Sequence, residues 1–236
     1  DYAVWLRADM GVTVASGRVS VWADQSGNNR NASQASAPSE TPTLVPSILN
    51  GHPVIRFDGY NDGLSLGDIG SAFPNAATLF IVSTIRDNMY NLFTTSTGVT
   101  GSGTYADTWW RFDCCGYTGG NPGVFRSNGN RLGTYPALPT SGSHVFALES
   151  SSSNYDIWVD GASQGSAPAA YSGGNEYRIG MPDDSPHNAG DGQGWKYLNG
   201  DIAEIILYNR LLTSAEKNAV GYYLENRYNI DTSYVQ

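Results

Sequence analysis

Charge and cysteine are both scarce in this chain. Asp, Glu, Lys and Arg make up 15% of its 236 residues, where about a quarter is usual. The 13 basic residues against 22 acidic ones leave a net charge of −9. No Lys/Arg cluster exists to make the phosphate contacts on which binding to nucleic acid or an anionic membrane depends. No apolar run approaches the ~18 residues that span a bilayer, so no membrane insertion is expected. The three histidines, His52, His144 and His187, are scattered. None sits in a His-Glu-x-x-His motif or at metal-ligand spacing. There is no Gly-x-Ser-x-Gly elbow for a serine nucleophile and no phosphate-binding glycine loop. His144 begins a strand and reads as structural, whereas His187 lies in "DDSPHNAGDGQG", a loop that can line a site. The sequence opens on "DYAVWLRAD", already strand-like, without a visible signal peptide. An excised or processed domain is the expectation.

What the chain has in quantity is Gly, Ser, Asn and Thr, and apolar residues that alternate with polar ones. "RVSVWAD", "HPVIRFDG", "ATLFIVSTI", "HVFALES", "NYDIWVDG", "NEYRIG" and "DIAEIILYNR" all carry this period of two, and turn-forming residues bound each run. Each strand then has one face to bury and one that is solvated or covered by a second sheet. Two stacked antiparallel sheets satisfy them together, so the fold class is all-β, a two-sheet sandwich. One domain over residues 1–230 is expected, with 231–236, "DTSYVQ", as a tail or the start of a linker. A single helix stands out near the end. Thr213 with Glu216 three residues later forms a capping box. Ala219, Val220, Tyr223, Leu224 and Tyr228 recur on one face, and Asn229 supplies a left-handed stop. This helix is expected to lie on the sandwich as a structural lid.

"VSVWADQSGNNRNASQ", "HPVIRFDGYNDGLSL", "YDIWVDGASQG", "YRIGMPDD" and above all "LNGDIAEIILYNRLLTSAEKNAVGYYLENRYNI" resemble the laminin-G-like, concanavalin-A-like jelly roll of secreted bacterial proteins. The resemblance runs over nearly the whole chain. It implies a jelly-roll sandwich that serves as an accessory or adhesive module, secreted or on the cell surface, often with a structural calcium. It does not itself confer a function.

Jelly-roll glycosidases use Glu-x-Asp-x-x-Glu on one strand, which sets paired carboxylates on one sheet face. That motif is absent, as is the Gln-x-His strand of jelly-roll lyases. Asp201 and Glu204 are three apart in a strand, so regular alternation points them to opposite faces. Asp183 and Asp184 diverge in a loop. No catalytic residue is assigned, and the chain is read as non-catalytic.

Calcium takes six to eight oxygen ligands. Three segments are rich in them: Asp24 with Ser26 and Asn29, Asp58 with Asn61 and Asp62, and Asp201 with Glu204. Either these oxygens hold calcium or they make ordinary Asx turns. In the resembling family the segment after "FDG" and the "GDIAEI" strand lie close together, where a cation would tie distant parts of the chain.

"WWRFDCCGYTGGNPG", residues 109–123, holds the only two cysteines side by side. Cys114 and Cys115 are either free thiols or a vicinal disulfide. Adjacent Cα atoms lie about 3.8 Å apart, below the ~4.4–6.8 Å of ordinary disulfides. Such a bond is strained and closes no long loop, so it contributes little through chain entropy. A strained link of that kind suits a site better than a scaffold. Sugar rings stack their C–H faces on aromatic rings while polar neighbours bind the hydroxyls, the mix small-ligand sites use. Trp110 and Tyr117 are the candidate platform, with Arg111, Asp113 and Asn121 as polar partners; the alternative is that Trp109 and Trp110 both belong to the core and the cysteines only stiffen a turn. Trp195 with Tyr197, and Tyr60, are second candidates. Trp5, Trp22 and Trp158 lie in alternating strands and belong to the core. The functional expectation is an extracellular carbohydrate-binding module of a larger protein. The alternatives are a structural or adhesive domain making protein–protein contacts, and a polysaccharide-degrading enzyme of unfamiliar type.

Overall fold

The computed structural model describes residues 2–34, 40–73, 75–86, 91–96, 108–113, 139, 141–168, 176–181 and 197–236. Two antiparallel sheets stack face to face, as the alternating runs require. The first contains, in spatial order, β13 (Ala162–Pro168), β12 (Asn154–Val159), β11 (Ser143–Ser150), β8 (Ala77–Ile85), β15 (Asn199–Tyr208), β6 (His52–Asp58) and β5 (Thr43–Leu49). β1 (Val4–Arg7) also pairs with β15. The second runs β10 (Thr108–Asp113), β9 (Asn91–Ser96), β14 (Glu176–Ile179), β7 (Leu64–Asp68), β4 (Ala32–Gln34), β3 (Arg18–Trp22) and β2 (Val12–Ala15). The expected sandwich with one C-terminal helix is the observed architecture.

Tight turns set the register. The β2–β3, β5–β6 and β12–β13 hairpins close through Ser16-Gly17, Asn50-Gly51 and Asp160-Gly161, each with both residues at positive φ. That conformation matches the right-handed twist of the flanking strands, and Asn-Gly and Asp-Gly adopt it readily.

Between the sheets lie Trp22, Phe57, Phe73, Phe93, Phe146, Tyr155 and Tyr177, with the aliphatic residues of β8 and β15. A second apolar layer covers the opposite face of the first sheet. There α1 (Ser214–Tyr228) packs Val220, Tyr223, Leu224 and Tyr228 against Val54, Phe80, Val82, Val145, Ala147, Ala203 and Ile206. This double burial leaves β8 and β15 buried along almost their whole length, whereas the alternation expected for them corresponds to burial on one face. Among the described residues Trp22 lies in the inner core, while Trp5 and Trp158 are half-buried in the layer beneath the helix.

The helix ends follow the sequence signals. Thr213 Oγ1 accepts from Glu216 N at 3.2 Å, and Glu216 Oε2 accepts from Thr213 N at 2.8 Å. Asn229 has φ 52°, the left-handed stop. Residues 231–236 do not simply lead away from the domain. Ser233 N donates to Asp160 O at 2.8 Å, and the Tyr234 ring packs against Gly221, 6.3 Å from the ring of Phe80. The tail is docked through residue 234 because the layer under α1 supplies an apolar seat for that ring.

Asp201 and Glu204 share a face of β15, contrary to regular alternation. A β-bulge between Ile202 and Glu204 adds one residue to the strand. β15 also changes partner there, from β6 (Asn199–Ile202) to β1 (Glu204–Leu207). Ile202, Ile205 and Leu207 consequently face the inner core, and Ala203, Ile206 and Tyr208 face the helix. Asp201 pairs with outward-facing Arg56, and Glu204 lies under α1.

Candidate functional site: the loop-bearing end of the sandwich

One end of the sandwich collects the long connections. Asp58 pairs with Asn199 and Ile85 with Gly200 in register. Arg86 N donates to Asn199 O at 2.9 Å, Leu198 N to Gly180 O at 2.9 Å, and Gly180 N to Leu92 O at 3.2 Å. Asp113 pairs with Asn91, and Ser143 with Thr84. Both anchor points of the β8–β9, β10–β11 and β14–β15 connections therefore sit at this end. The turn from β6 to β7 crosses between the sheets there too.

That turn is built by carboxylates. Asp58 Oδ1 accepts from Tyr60 N at 2.8 Å and Asn61 N at 3.2 Å. Asp62 Oδ2 accepts from Asp58 N at 3.0 Å, and Arg18 Nη1 donates to Asp62 Oδ1 at 2.7 Å and Thr41 O at 2.6 Å. Gly59 at φ +79° leads into the turn, and a Cβ there would meet Asn199 at 2.7 Å. The turn holds Tyr60 in solvent, 79% exposed. Burial, reinforced by the Asp58 charge, pushes the Asp62 carboxyl up to about 6 against the pull of Arg18.

Beside the turn, Ser143, Thr84, Asp201, Arg56 and Thr43 form one row across the first sheet. Arg56 grips Asp201 with Nε and Nη2 at 2.8 and 2.9 Å, and Arg86 Nη2 donates to the same carboxylate. Asp201 is 2% exposed, but the two guanidiniums are 38% and 36% exposed. Burial raises the Asp201 pKa, but the two arginines outweigh it and hold the carboxyl below its ordinary value.

The sequence candidates converge on this end to differing degrees. Trp110, Arg111 and Asp113 lie in β10, which among the described residues is the outermost strand of its sheet, just before the chain leaves the sheet here. Arg111 pairs with Thr94, and Thr94 with Arg178. Tyr117, Asn121, Cys114 and Cys115 lie outside the described residues, in the connection anchored by Asp113 and Ser143. Trp195 and His187 also lie outside them, in the connection anchored by Met181 and Tyr197. Tyr197 itself is 5% exposed and belongs to the packing, because its neighbour Leu198 is already tied to Gly180.

The positions expected to ligate calcium are spread over three places. Asp24 accepts from Trp5 N, Ser26 N and Arg30 N at 2.8, 2.9 and 3.0 Å, an Asx-type anchor for the turn that contains Asn29. Asp58, Asp62 and Asp201 sit at the loop-bearing end with the donors named above. Glu204 lies under α1 and accepts from Trp5 Nε1 at 2.6 Å, Tyr228 OH at 2.7 Å and Tyr223 OH at 3.1 Å. Among the described residues no group of three or more His, Cys, Asp or Glu side chains is arranged to hold a metal ion. His144 is structural, with Nδ1 2.6 Å from Asp160 Oδ2 and Nε2 2.9 Å from Ser141 O. Sequence reasoning missed Arg56 and Arg86. Their only trace is a charged residue at an outward strand position and another at a strand end, and only the register shows that both meet Asp201.

No protein-family model and no curated protein matches the chain. Solved structures do. Domain 4 of AbnA, a GH43 extracellular arabinanase from Geobacillus stearothermophilus, in complex with arabinotriose, aligns with a TM-score of 0.64 at 14% identity, over 90% of this chain and 94% of that one. Trypanosoma rangeli sialidase in complex with sialic acid aligns at 0.62 and 14% identity, over 95% of this chain but 33% of that one. A GH54 α-L-arabinofuranosidase soaked with 4-nitrophenyl α-L-arabinofuranoside gives 0.62 and 14%, over 93% and 53%. The chain thus spans about a third of the sialidase and about half of the arabinofuranosidase. The class these likenesses define is a fold, an antiparallel, jelly-roll-like β-sandwich. Among the described residues no helix is long and apolar enough to cross a membrane.

Proposed function

We propose that this chain is a non-catalytic carbohydrate-binding module, laminin-G-like in kind, of a larger secreted or surface protein, and that it contacts glycan at the loop-bearing end. The carrying observation is topological. The strand with Trp110, Arg111 and Asp113, the turn with Tyr60, and the anchors of the connections with Tyr117, Asn121 and Trp195 all meet at one end. An exposed tyrosine with polar neighbours suits stacking on a sugar face. The whole-length likeness to an arabinanase domain in complex with arabinotriose supports a carbohydrate partner. The carboxylates of β15 favour a binding role over glycoside hydrolysis. Asp201 is committed to two arginines, and Glu204 is buried beneath the helix, so neither is presented to a glycosidic bond.

The test is a glycan array, followed by titration of the best hit, with Trp110→Ala and Tyr117→Ala. Affinity should fall tenfold or more while the melting temperature holds. Retention that falls on mild reduction would place Cys114 and Cys115 in the site. Unchanged binding in both variants would sink the assignment. Self-association without glycan binding would move the function to an adhesive role, and new reducing ends from a polysaccharide panel would make the chain an enzyme.

A further inference from the structure

At the far end of β15, a cleft of about 290 Å³ opens between the N-terminal segment and the first turns of α1. Tyr2, Tyr208, Arg210, Leu212, Glu216, Ala219 and Val220 line it. Nine residue steps of strand separate it from the loop-bearing end, about 30 Å at strand rise, so a single sugar ring cannot reach both places.

The lining has three distinct parts. The first is aromatic: the Tyr2 and Tyr208 rings lie 5.4 Å apart, tilted by 52°, and Tyr2 also leans on Trp5 at 5.0 Å. Tyr2 is 39% exposed, so the residue is only partly covered by these neighbours. The second is polar. Arg210 Nη2 and Nη1 donate to Glu216 Oε1 and Oε2 at 2.7 and 2.9 Å, forming a planar fork that stays 45% and 41% exposed. The third is a small apolar floor of Leu212, Ala219 and Val220.

Each part restricts the ligand. The volume lies at the small end of ligand pockets, which run from about 300 Å³ upward, so it takes one ring and not a chain. The two tyrosines in the lining favour a flat C–H surface. The fork offers guanidinium donors beside carboxylate acceptors, which suits neighbouring hydroxyls that both donate and accept. Its charges cancel, so an anionic ligand gains nothing and meets the Glu216 carboxylate. Arg210 and the Thr213 contacts hold that carboxyl down to about 2, so it stays ionised at any ordinary pH. Glu216 is already fixed by the helix cap, which pre-orders the fork before any ligand arrives.

We infer that this cleft is a second glycan subsite, taking one neutral sugar ring stacked on Tyr2 and hydrogen-bonded by the Arg210–Glu216 fork. The inference rests on the carbohydrate-binding reading but uses none of the residues at the loop-bearing end. A module with two contact points about 30 Å apart would engage one long polysaccharide twice, or two chains at once.

Methyl NMR of the whole chain reports on the cleft alone through Leu212 and Val220. The probes are arabinose, xylose, glucose, galactose and mannose at millimolar concentration, with glucuronate as the charged control. At least one neutral sugar should shift both methyl groups, and glucuronate should bind fivefold or more weakly. Ala219→Leu fills the floor with a residue of nearly equal helix propensity, and Tyr2→Ala removes the exposed ring. Each should weaken the cleft shifts tenfold or more, while Trp110→Ala should leave them intact. Silence of the cleft methyls with all five neutral sugars, or shifts indifferent to Ala219→Leu, overturns the subsite. If glycan binding still depends on Trp110 or Tyr117, the proposed function survives that loss. If no carbohydrate binds anywhere, both fall.

Discussion

Asp201 and Glu204 stand three residues apart on β15, on the same side of the sheet, and are almost equally inaccessible at 2% and 1% exposure. Their surroundings nevertheless differ in kind. Asp201 lies between two guanidiniums that reach into solvent at the loop-bearing end. Glu204 lies under α1, and its short bonds come from neutral donors: one indole and two phenols. Arg227 approaches it only to 3.6 Å. Charge compensation leaves the first carboxyl below its ordinary value. Desolvation leaves the second above it, despite the bonds from Trp5, Tyr228 and Tyr223. The comparison separates two uses of a buried carboxylate. Glu204 fastens an element, since it joins β1, β15 and α1. Asp201 aligns two cations that stay available to solvent.

The largest effect should come from breaking the Glu204 junction. Glu204→Ala removes the shared acceptor of Trp5 Nε1, Tyr223 OH and Tyr228 OH and leaves those donors under the helix. Stability should fall by about 3–5 kcal/mol, the usual cost of removing one partner from a buried polar network, measured by urea unfolding. Glu204→Gln keeps the shape and isolates the charge. With its folded pKa raised, the folded state binds more protons than the unfolded chain between the ordinary carboxyl range and the raised value. Glu204 therefore contributes a loss of stability as pH rises through that window. The Gln variant should lack that component of the slope.

Asp201 should give a smaller effect with the opposite pH sign. Its folded pKa is depressed, so its stabilisation is present above the unfolded value and is lost as pH falls through the folded one. Asp201→Asn should cost about 1–2 kcal/mol near neutrality, less than Glu204→Ala because the stranded guanidiniums can turn to water. The difference between variant and wild type should shrink on acidification. A cost that stays constant down to strongly acidic pH would show that the two arginines do not set the Asp201 charge.

The sequence carried the fold because its signals are local. Period-two alternation marks strands, Ser16-Gly17, Asn50-Gly51 and Asp160-Gly161 mark hairpins, and the Thr213–Glu216 box with Asn229 bounds the helix. Parity along β15 failed because a bulge between Ile202 and Glu204 leaves no composition signal, and one extra residue reverses every face after it. The Asp201 clamp was equally illegible, since Arg56 and Arg86 are 145 and 115 residues away in the chain. Trp110, Tyr60 and Trp195 stood out as aromatics in polar, glycine-rich stretches. That the turn with Tyr60, the strand with Trp110 and the anchors of the connection with Trp195 share one end became visible only from strand order. The Tyr2–Tyr208 cleft joins residues at opposite ends of the chain, and no local pattern announces it.

The sharpest use of the comparison is a residue on which stability and binding should part company. Tyr60 is 79% exposed, and the Asp58 carboxylate holds its turn through the backbone N–H groups of residues 60 and 61, without the phenol ring. Removing the ring deletes no buried contact and disturbs no capping bond. Tyr60→Ala should therefore change stability by less than about 0.5 kcal/mol, the range of surface substitutions away from special features. If the loop-bearing end grips glycan, the same variant should weaken glycan binding severalfold, because an exposed ring beside polar groups is worth more to a ligand than to the fold. Glu204→Ala is the mirror case, and it should lower stability while leaving affinity per folded molecule unchanged. A Tyr60→Ala protein that binds like wild type would remove this turn from the site and confine it to β10 and the connections anchored beside it.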